Sequence, residues 1–372
     1  MRPTFRVCPS AGLISLVAAW LALTALAMAC GGSADGAGSK LVVNSTLDTD
    51  ERDGVLTLRE ALLLATGQLG EDELNEAERR QLDGSPGPER ADTIIFDEAT
   101  FTDEEPKTIA LDSGLPPMNS GGDAIDGANA VIIDGQDPDV TCLTLRSDAN
   151  ELKGLRIHNC QTAVLVWEGA VGNVIGRPGE GNVLSGNVVG AEVQGEATVI
   201  RGNIIGLDAA GTSPMPNEFE GIWVTSLARD TVIGGAGEGD GNVISGNDLF
   251  GVSVDGAQGT VLQGNIIGLD KSGETDIGNL FAIMVQFGAR ETLVGGDADG
   301  EGNVIAGNTT AIVVRHEGTE GNTVRGNYFG TDISGERAIP NSTDISILAG
   351  AGQALVEDNF SLGPLKIEKP SP

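Results

Sequence analysis

Two tryptophans, two carboxylates and an arginine are the residues of this chain whose types and spacing could do chemistry outside its core. Trp167 and Trp223 each sit in a short alternating run, Val164-Leu165-Val166-Trp167 and Gly221-Ile222-Trp223-Val224, in which Val164 and Val166, or Ile222 and Val224, point one way and the indole the other. An exposed indole offers a flat apolar surface for the C–H face of a sugar ring and an N–H free to donate a hydrogen bond. Trp167 and Trp223 are therefore candidates for carbohydrate contact, with local packing under flanking loops as the alternative. Glu192 and Asp255 occupy outward positions in equivalent runs. Glycoside hydrolysis needs two carboxyl groups at a defined separation across one bond. These two lie two turns apart, roughly 10 Å by strand spacing, wide even for an inverting pair. Arg315 has only Asp255 as an outward acid, again two turns away, and His316 beside it reads as a solvated corner. Glu192, Asp255 and Arg315 are thus a thin catalytic set, and the sequence leans away from an enzyme without deciding the matter.

Acidic glycine-rich corners form a third candidate. Gly179-Glu180-Gly181, Gly237-Glu238-Gly239-Asp240 and Gly296-Asp297-Ala298-Asp299-Gly300-Glu301 fall at matching places. Glu238, Asp240, Asp297, Asp299 and Glu301 could supply oxygen ligands to calcium, although they lack the regular spacing of calcium-roll repeats and read equally as solvated turns. No other cofactor is expected. Zinc is excluded by two histidines, His158 and His316, and the absence of any Cys-x-x-Cys.

What positions these residues is a repeat. The strings Gly181–Asn187 (GNVLSGN), 241–247 (GNVISGN) and 302–308 (GNVIAGN) start 60 and 61 residues apart. Interleaved are 202–208 (GNIIGLD), 264–270 (GNIIGLD) and 326–332 (GNYFGTD), spaced by 62 both times. Two interleaved strings that hold period over three cycles mark a solenoid. Each cycle holds the same unit twice: three short strands separated by Gly and Asn, the residues that best accept the left-handed backbone of a sharp corner. That is one turn of a three-sided parallel β-helix, with about seven turns from Thr162 onward. Asparagines recurring at one corner can stack and hydrogen-bond along the axis. On the first strand of each turn, Val164, Val166, Val193, Ile222, Val224, Val252, Val254, Ile283, Val285, Ile312 and Val314 point inward. One outward row then reads Leu165, Glu192, Trp223, Ser253, Met284, Val313, and the next reads Trp167, Gln194, Thr225, Asp255, Gln286, Arg315.

Ahead of the repeat, Arg2 and Arg6 precede an apolar run from Ala11 to Ala29. This is the layout of an export signal over residues 1–29, with an uncleaved membrane anchor as the alternative. Residues 31–40 are small and polar and read as a linker. Thr57 and Glu60 form a capping box for a helix that Gly67 stops. Residues 69–92, rich in charge, read as a solvated and partly helical insertion. Cys142 and Cys160 are open to two readings, a disulfide permitted by export or two small buried thiols in adjacent coils.

Several strings resemble known families. Leu26-Ala27-Met28-Ala29-Cys30 followed by Gly31-Gly32-Ser33 is similar to a bacterial lipoprotein signal, which implies lipidation at Cys30; cleavage to a free secreted protein is the alternative. Leu58-Arg59-Glu60-Ala61, with Asp92-Thr93-Ile94-Ile95-Phe96 after it, resembles the N-terminal module named for Cys-Ser-Leu-Arg-Glu-Ala, here with Leu56 and Thr57 in place of the Cys-Ser pair. That resemblance implies a cap over the open end of a solenoid. The alternating GNVISGN and GNIIGLD coils resemble the pectin-lyase-like β-helix superfamily. This implies a substrate, if any, along an outward strand face, but no particular chemistry, since the fold carries lyases, hydrolases, adhesins and inert stalks.

Composition agrees. The chain has 55 glycines and only 3% aromatic residues, which suits a narrow aliphatic solenoid. Its net charge of -32 repels phosphate backbones and anionic headgroups, which excludes nucleic acid as a partner. The expectation is an all-β, single-stranded right-handed parallel β-helix with a short N-terminal capping α-helix. Its parts are a signal at 1–29, Cys30 and a linker to 40, a capping module at 41–130, β-helix repeats at 131–360 and a tail at 361–372. It is expected to be an exported monomer, at the outer surface by a lipid anchor or else secreted, serving adhesion, glycan contact or envelope structure. A polysaccharide lyase or glycoside hydrolase is the alternative.

Overall fold

A computed structural model describes residues 38–352 and 354–368. The export signal, Cys30 and the linker up to residue 37 lie outside the described residues, as do residues 369–372 of the tail. The described chain winds as a right-handed parallel β-helix with three strand ladders. The first-strand ladder runs Thr162, Val189, Glu220, Phe250, Phe281, Thr310, Thr343, seven turns in register. A second ladder begins at Lys40 and passes through Thr93, Ala124, Glu151, Val174 and Val199 to Leu355. The expected boundary between a capping module and the repeats at residue 130/131 is therefore not a break in the fold. Strands of the module already stack in the solenoid, because parallel pairing needs only a matching edge and a shared inward face. One continuous core of aliphatic side chains, from Leu41 to Ile347, fills the interior.

Helix α1, Leu58–Ala65, closes the N-terminal end. Thr57 accepts a hydrogen bond from the Glu60 N–H, and the Glu60 carboxylate accepts one from the Thr57 N–H. Leu58, Ala61, Leu62, Leu64 and Ala65 are buried against the first coil. Thr57→Ala is expected to lower stability by about 1–2 kcal/mol, read as a fall in the urea midpoint that Thr57→Ser largely restores. The segment 69–92 does more than the solvated insertion expected of it. It includes the short helix Glu76–Arg79, and Leu82–Asp83 pairs antiparallel with Lys40–Val43. Charged side chains on a strand that covers an otherwise open sheet edge guard it against other chains.

Asparagine ladders stack at two corners, not the single corner expected. Asn182, Asn203, Asn242, Asn265, Asn303, Asn327 and Asn359 form one; Asn187, Asn217, Asn247, Asn279, Asn308 and Asn341 form another. In each, a side-chain oxygen accepts from the side-chain amide of the asparagine one coil earlier, as from Asn203 to Asn242 at 2.9 Å. At the third corner the row is mixed and starts with carboxylates: Asp92 donates its N–H to Asp123, and Asp123 donates its own to Asn150. Burial pushes the Asp123 carboxyl up to about 6, against the lowering effect of the Ser120 hydroxyl and the Asp92 N–H.

The second repeated string has a separate task. After GNIIGLD and its relatives the chain leaves the coil in a loop organised by Asp208, Asp270 or Asp332. Each carboxylate accepts backbone N–H bonds from residues four and five places on. Desolvation raises all three carboxyls, and the backbone and side-chain donors together outweigh it and hold them below the ordinary value. Successive loops then stack, with Lys271 N–H donating to Gly211 and Ile333 N–H to Gly273. Gly211 and Gly273 both have positive φ and sit under the next loop's side chain, so a Cβ at either would collide.

Candidate functional site

The first-strand ladder carries the side chains singled out by sequence, and its registers match the predicted rows: Leu165, Glu192, Trp223, Ser253, Met284 and Val313 are consecutive partners. The inward set from Val164 to Val314 is buried throughout. The outward face is not uniformly open, however. Ser253, Met284 and Val313 are covered, and the Gln286 amide reaches across to Ser253 Oγ at 3.4 Å.

Trp167 stays open, 39% exposed, with the Arg146 guanidinium 4.3 Å from its ring centroid. Trp223 corrects the expectation of a solvent-facing indole with a free N–H. It is partly buried, and its Nε1–H donates to Asp255 Oδ2 at 3.1 Å. Asp255 also accepts from the Ser253 hydroxyl at 2.7 Å and from Gln286 Nε2 at 2.8 Å. Arg315 donates through Nε to Gln286 Oε1 at 2.7 Å, so it joins Asp255 through an amide rather than by direct contact. Gln194 donates to Glu192 at 2.7 Å.

Glu220 is the residue that sequence reasoning missed. Strict alternation from Ile222 places it inward. In the structure Gly221 and Ile222 both face the core: a Cβ on Gly221 would stand 3.0 Å from Ile205 Cγ2, and the equivalent Ala163, Ala282 and Ala311 are fully buried. Two inward residues in a row reverse the phase and bring Glu220 to the outer face. The signal was present in the small residues Ala163, Gly190, Gly221, Gly251, Ala282 and Ala311 recurring at one register. Burial, then the charges of Asp255 and Glu192, push the Glu220 carboxyl up to about 7. Glu220 thus shares one electrostatic field with Asp255 and Glu192.

The same face collects aromatic side chains. Phe250 and Phe281 stack on successive turns, ring centroids 5.5 Å apart. Phe219 is exposed at the border beside Glu220. Phe287 is 60% exposed, lies parallel to His316 at 4.3 Å, and holds φ of 55°, as His316 holds 73°. His316 is thus a stacking partner, not merely a solvated corner. With Trp167 and Trp223, six aromatic residues border one face of a chain that is only 3% aromatic. Chance scatter around three faces does not give that.

The remaining candidates lie elsewhere. Cys142 and Cys160 are joined by a disulfide, Cα atoms 5.9 Å apart, between the coil that leads into Trp167 and the coil before it. At the acidic corners, Asp240 faces Arg201 and accepts the Gly237 N–H, Asp297 pairs with Arg325 at 2.7 Å, and Glu301 accepts the Ala298 N–H. Glu238 and Asp299 are exposed and apart from these contacts. Among the described residues no three acidic, histidine or cysteine side chains gather closely enough for a metal ion. Asp240, Asp297 and Glu301 are engaged in turn closure and arginine pairing. A cavity of about 460 Å³ lies on the third-strand face, floored by Val183, Ile204, Val243 and Ile266 and walled by glycine corners. Its charged lining is limited to Asp103, Arg156 and Lys271, two of which pair with each other.

No family model matches the chain, and no curated protein matches it. Among solved structures it is similar to an alginate lyase from Paenibacillus sp. str. FPU-7, at 15% identity and a TM-score of 0.43, over 75% of this chain and 91% of that one. It is also similar to a mutant tailspike protein of E. coli bacteriophage HK620 in complex with a pentasaccharide, at 13% identity and a TM-score of 0.27; that match covers 95% of this chain but 62% of the tailspike chain. A third is the A-module of a mannuronan C-5 epimerase from Azotobacter vinelandii, at 14% identity and a TM-score of 0.24, over 74% and 91% of the two chains. Likenesses this remote assign no activity.

Proposed function

We propose that the protein is an exported β-helix, secreted or held at the cell surface through Cys30, whose first-strand face binds a glycan in adhesion or envelope structure. The gathering of Trp167, Trp223, Phe250, Phe281, Phe287 and Phe219 on that face carries the reading. Aromatic planes interspersed with amide and carboxylate groups meet both sides of a sugar, its apolar C–H face and its hydroxyls. Asp255 supports contact over catalysis: with three donors on its carboxylate it is a fixed acceptor that holds the Trp223 indole in place.

The purified chain on a glycan array is expected to bind without shortening the ligand. Trp167→Ala and Trp223→Ala should each weaken binding by about tenfold or more, with folding checked by circular dichroism. Retention of full affinity in both variants would sink the reading.

Glu220 favours a second reading, glycoside hydrolysis. A carboxyl held protonated near neutral pH beside two other carboxylates is the arrangement a general acid needs. New reducing ends on a bound glycan, lost in Glu220→Gln, would establish it in place of simple binding.

A further inference from the structure

Three carboxylates bracket the indole of Trp223. Glu220 lies on the same strand and the same outer face, Glu192 is its partner on the preceding turn, and Asp255 holds its Nε1–H from the following one. Among the described residues none of the three forms an ion pair. Arg315 spends its Nε–H on the Gln286 amide and meets Asp255 only through it. The three acids also stand too far apart to close on a metal ion.

They differ in what they accept. Asp255 is filled by the donors of Trp223, Ser253 and Gln286, and Glu192 takes one from Gln194. Glu220 is half-buried and accepts from no other residue. A carboxylate drawn out of water is ordinarily met by a cation or by several donors, since lost hydration and like charges both oppose its ionised form. At Glu220 both stand uncompensated, and they push its carboxyl up to about 7. The chain has 22 lysines and arginines and sets none of them against it.

The group lacks a positive charge, and a ligand can bring one. The field of the whole chain, with 54 acids, draws cations to the surface and turns anions away. Trp223 adds a specific attraction, because the face of an indole is the best aromatic partner for an ammonium group. Resting on the reading that this face binds glycan, we propose that the ligand is basic, a glycan of amino sugars with free amines, and that Glu220 selects it by charge. A sugar stacked on Trp223 sets its ammonium beside Glu220, with Glu192 and Asp255 around it. A neutral sugar leaves Glu220 without a counter-charge, and a uronate adds a fourth negative charge to the three.

The test titrates the full chain calorimetrically with glucosamine oligomers of equal length in free-amine, N-acetylated and N-trimethylated form, and with oligogalacturonate as the anionic probe. At about pH 7 the free-amine form is expected to bind about tenfold tighter than the N-acetylated one, and oligogalacturonate more weakly than either. The trimethylated form carries a fixed charge, so its pH profile reports on the protein alone. Its affinity should rise as pH climbs through about 7, where Glu220 ionises. Glu220→Gln, with folding checked by circular dichroism, should flatten that profile and cut the amine preference to about twofold or less. Glu238→Gln, at an acidic corner away from this face, should change neither. Equal affinity for the free-amine and N-acetylated forms, tighter binding of oligogalacturonate, or an unaltered profile in Glu220→Gln overturns the proposal. So does equally tight binding of oligolysine, which would assign the charge to a peptide partner. Absence of binding to any glycan on the array would instead overturn the reading on which it rests.

Discussion

Asn242→Ala is expected to destabilise the protein by about 3–5 kcal/mol, the largest effect of any single substitution considered. Asn242 is fully buried. Its oxygen accepts from both the N–H and the side-chain amide of Asn203, while its own amide donates to Ile200 O at 2.8 Å and Asn265 Oδ1 at 3.0 Å. Alanine removes these partners and admits no water, leaving donors of Asn203 and an acceptor on Ile200 unpaired in the core. Because coils contact only their neighbours, the damage stays between two coils. Urea unfolding followed by circular dichroism is therefore expected to split into two transitions, the blocks before and after residue 242 melting separately. A loss below about 1 kcal/mol with a single transition would show that the ladder is ornamental.

Glu220→Gln should act in the opposite direction. The folded chain raises this carboxyl from 4.5 to about 7 through burial and the charges of Asp255 and Glu192. An acid with a raised folded pKa favours folding while protonated. Its contribution is complete below about pH 4.5 and is lost as pH climbs through 7. The wild type should therefore weaken between pH 5 and pH 8, with Asp123 adding a similar slope that ends near its value of about 6. Glutamine keeps the shape and cannot ionise. At pH 8 the variant is expected to be more stable by about 2 kcal/mol, after allowance for screening at a partly exposed site, and equal to wild type at pH 4. Thermal unfolding of both chains from pH 4 to 9 measures this; parallel curves would place the Glu220 carboxyl in water. Asp208, Asp270 and Asp332 work at the acidic end with reversed sign, since their lowered values stabilise the loops above the ordinary carboxylate range and release them as pH falls.

These two residues also differ in how plainly a linear reading exposes them. Asn242 is one of three identical positions in GNVISGN-type strings, and a polar residue recurring beside glycine invites a stacked corner. Even so, the repeated strings point to a ladder at one corner where two exist, because the partners of Asn187 and Asn247 are Asn217 and Asn279, which lie in loops of dissimilar sequence. Glu220 was hidden by one inserted inward residue. Period-two alternation carries no memory across a kink, so a small residue that turns toward the core reverses the orientation of everything before it.

The coil count, the in-register rows from Leu165 to Val313, the aliphatic core and the capping box of α1 followed from the sequence by itself. Each depends on local periodicity or on residues a few places apart, and backbone geometry translates those directly into facing. Only the tertiary structure decided that Trp223 is held by Asp255, that Glu220, Glu192 and Asp255 share one field, that Arg315 reaches them through Gln286, and that Leu82–Asp83 closes the N-terminal edge. These contacts join residues about 30 to 40 places apart whose side-chain directions depend on rotamers, phase reversals and burial. A solenoid sequence states which residues share a face; packing across neighbouring turns decides which of them touch, which are covered, and which remain free to meet a ligand.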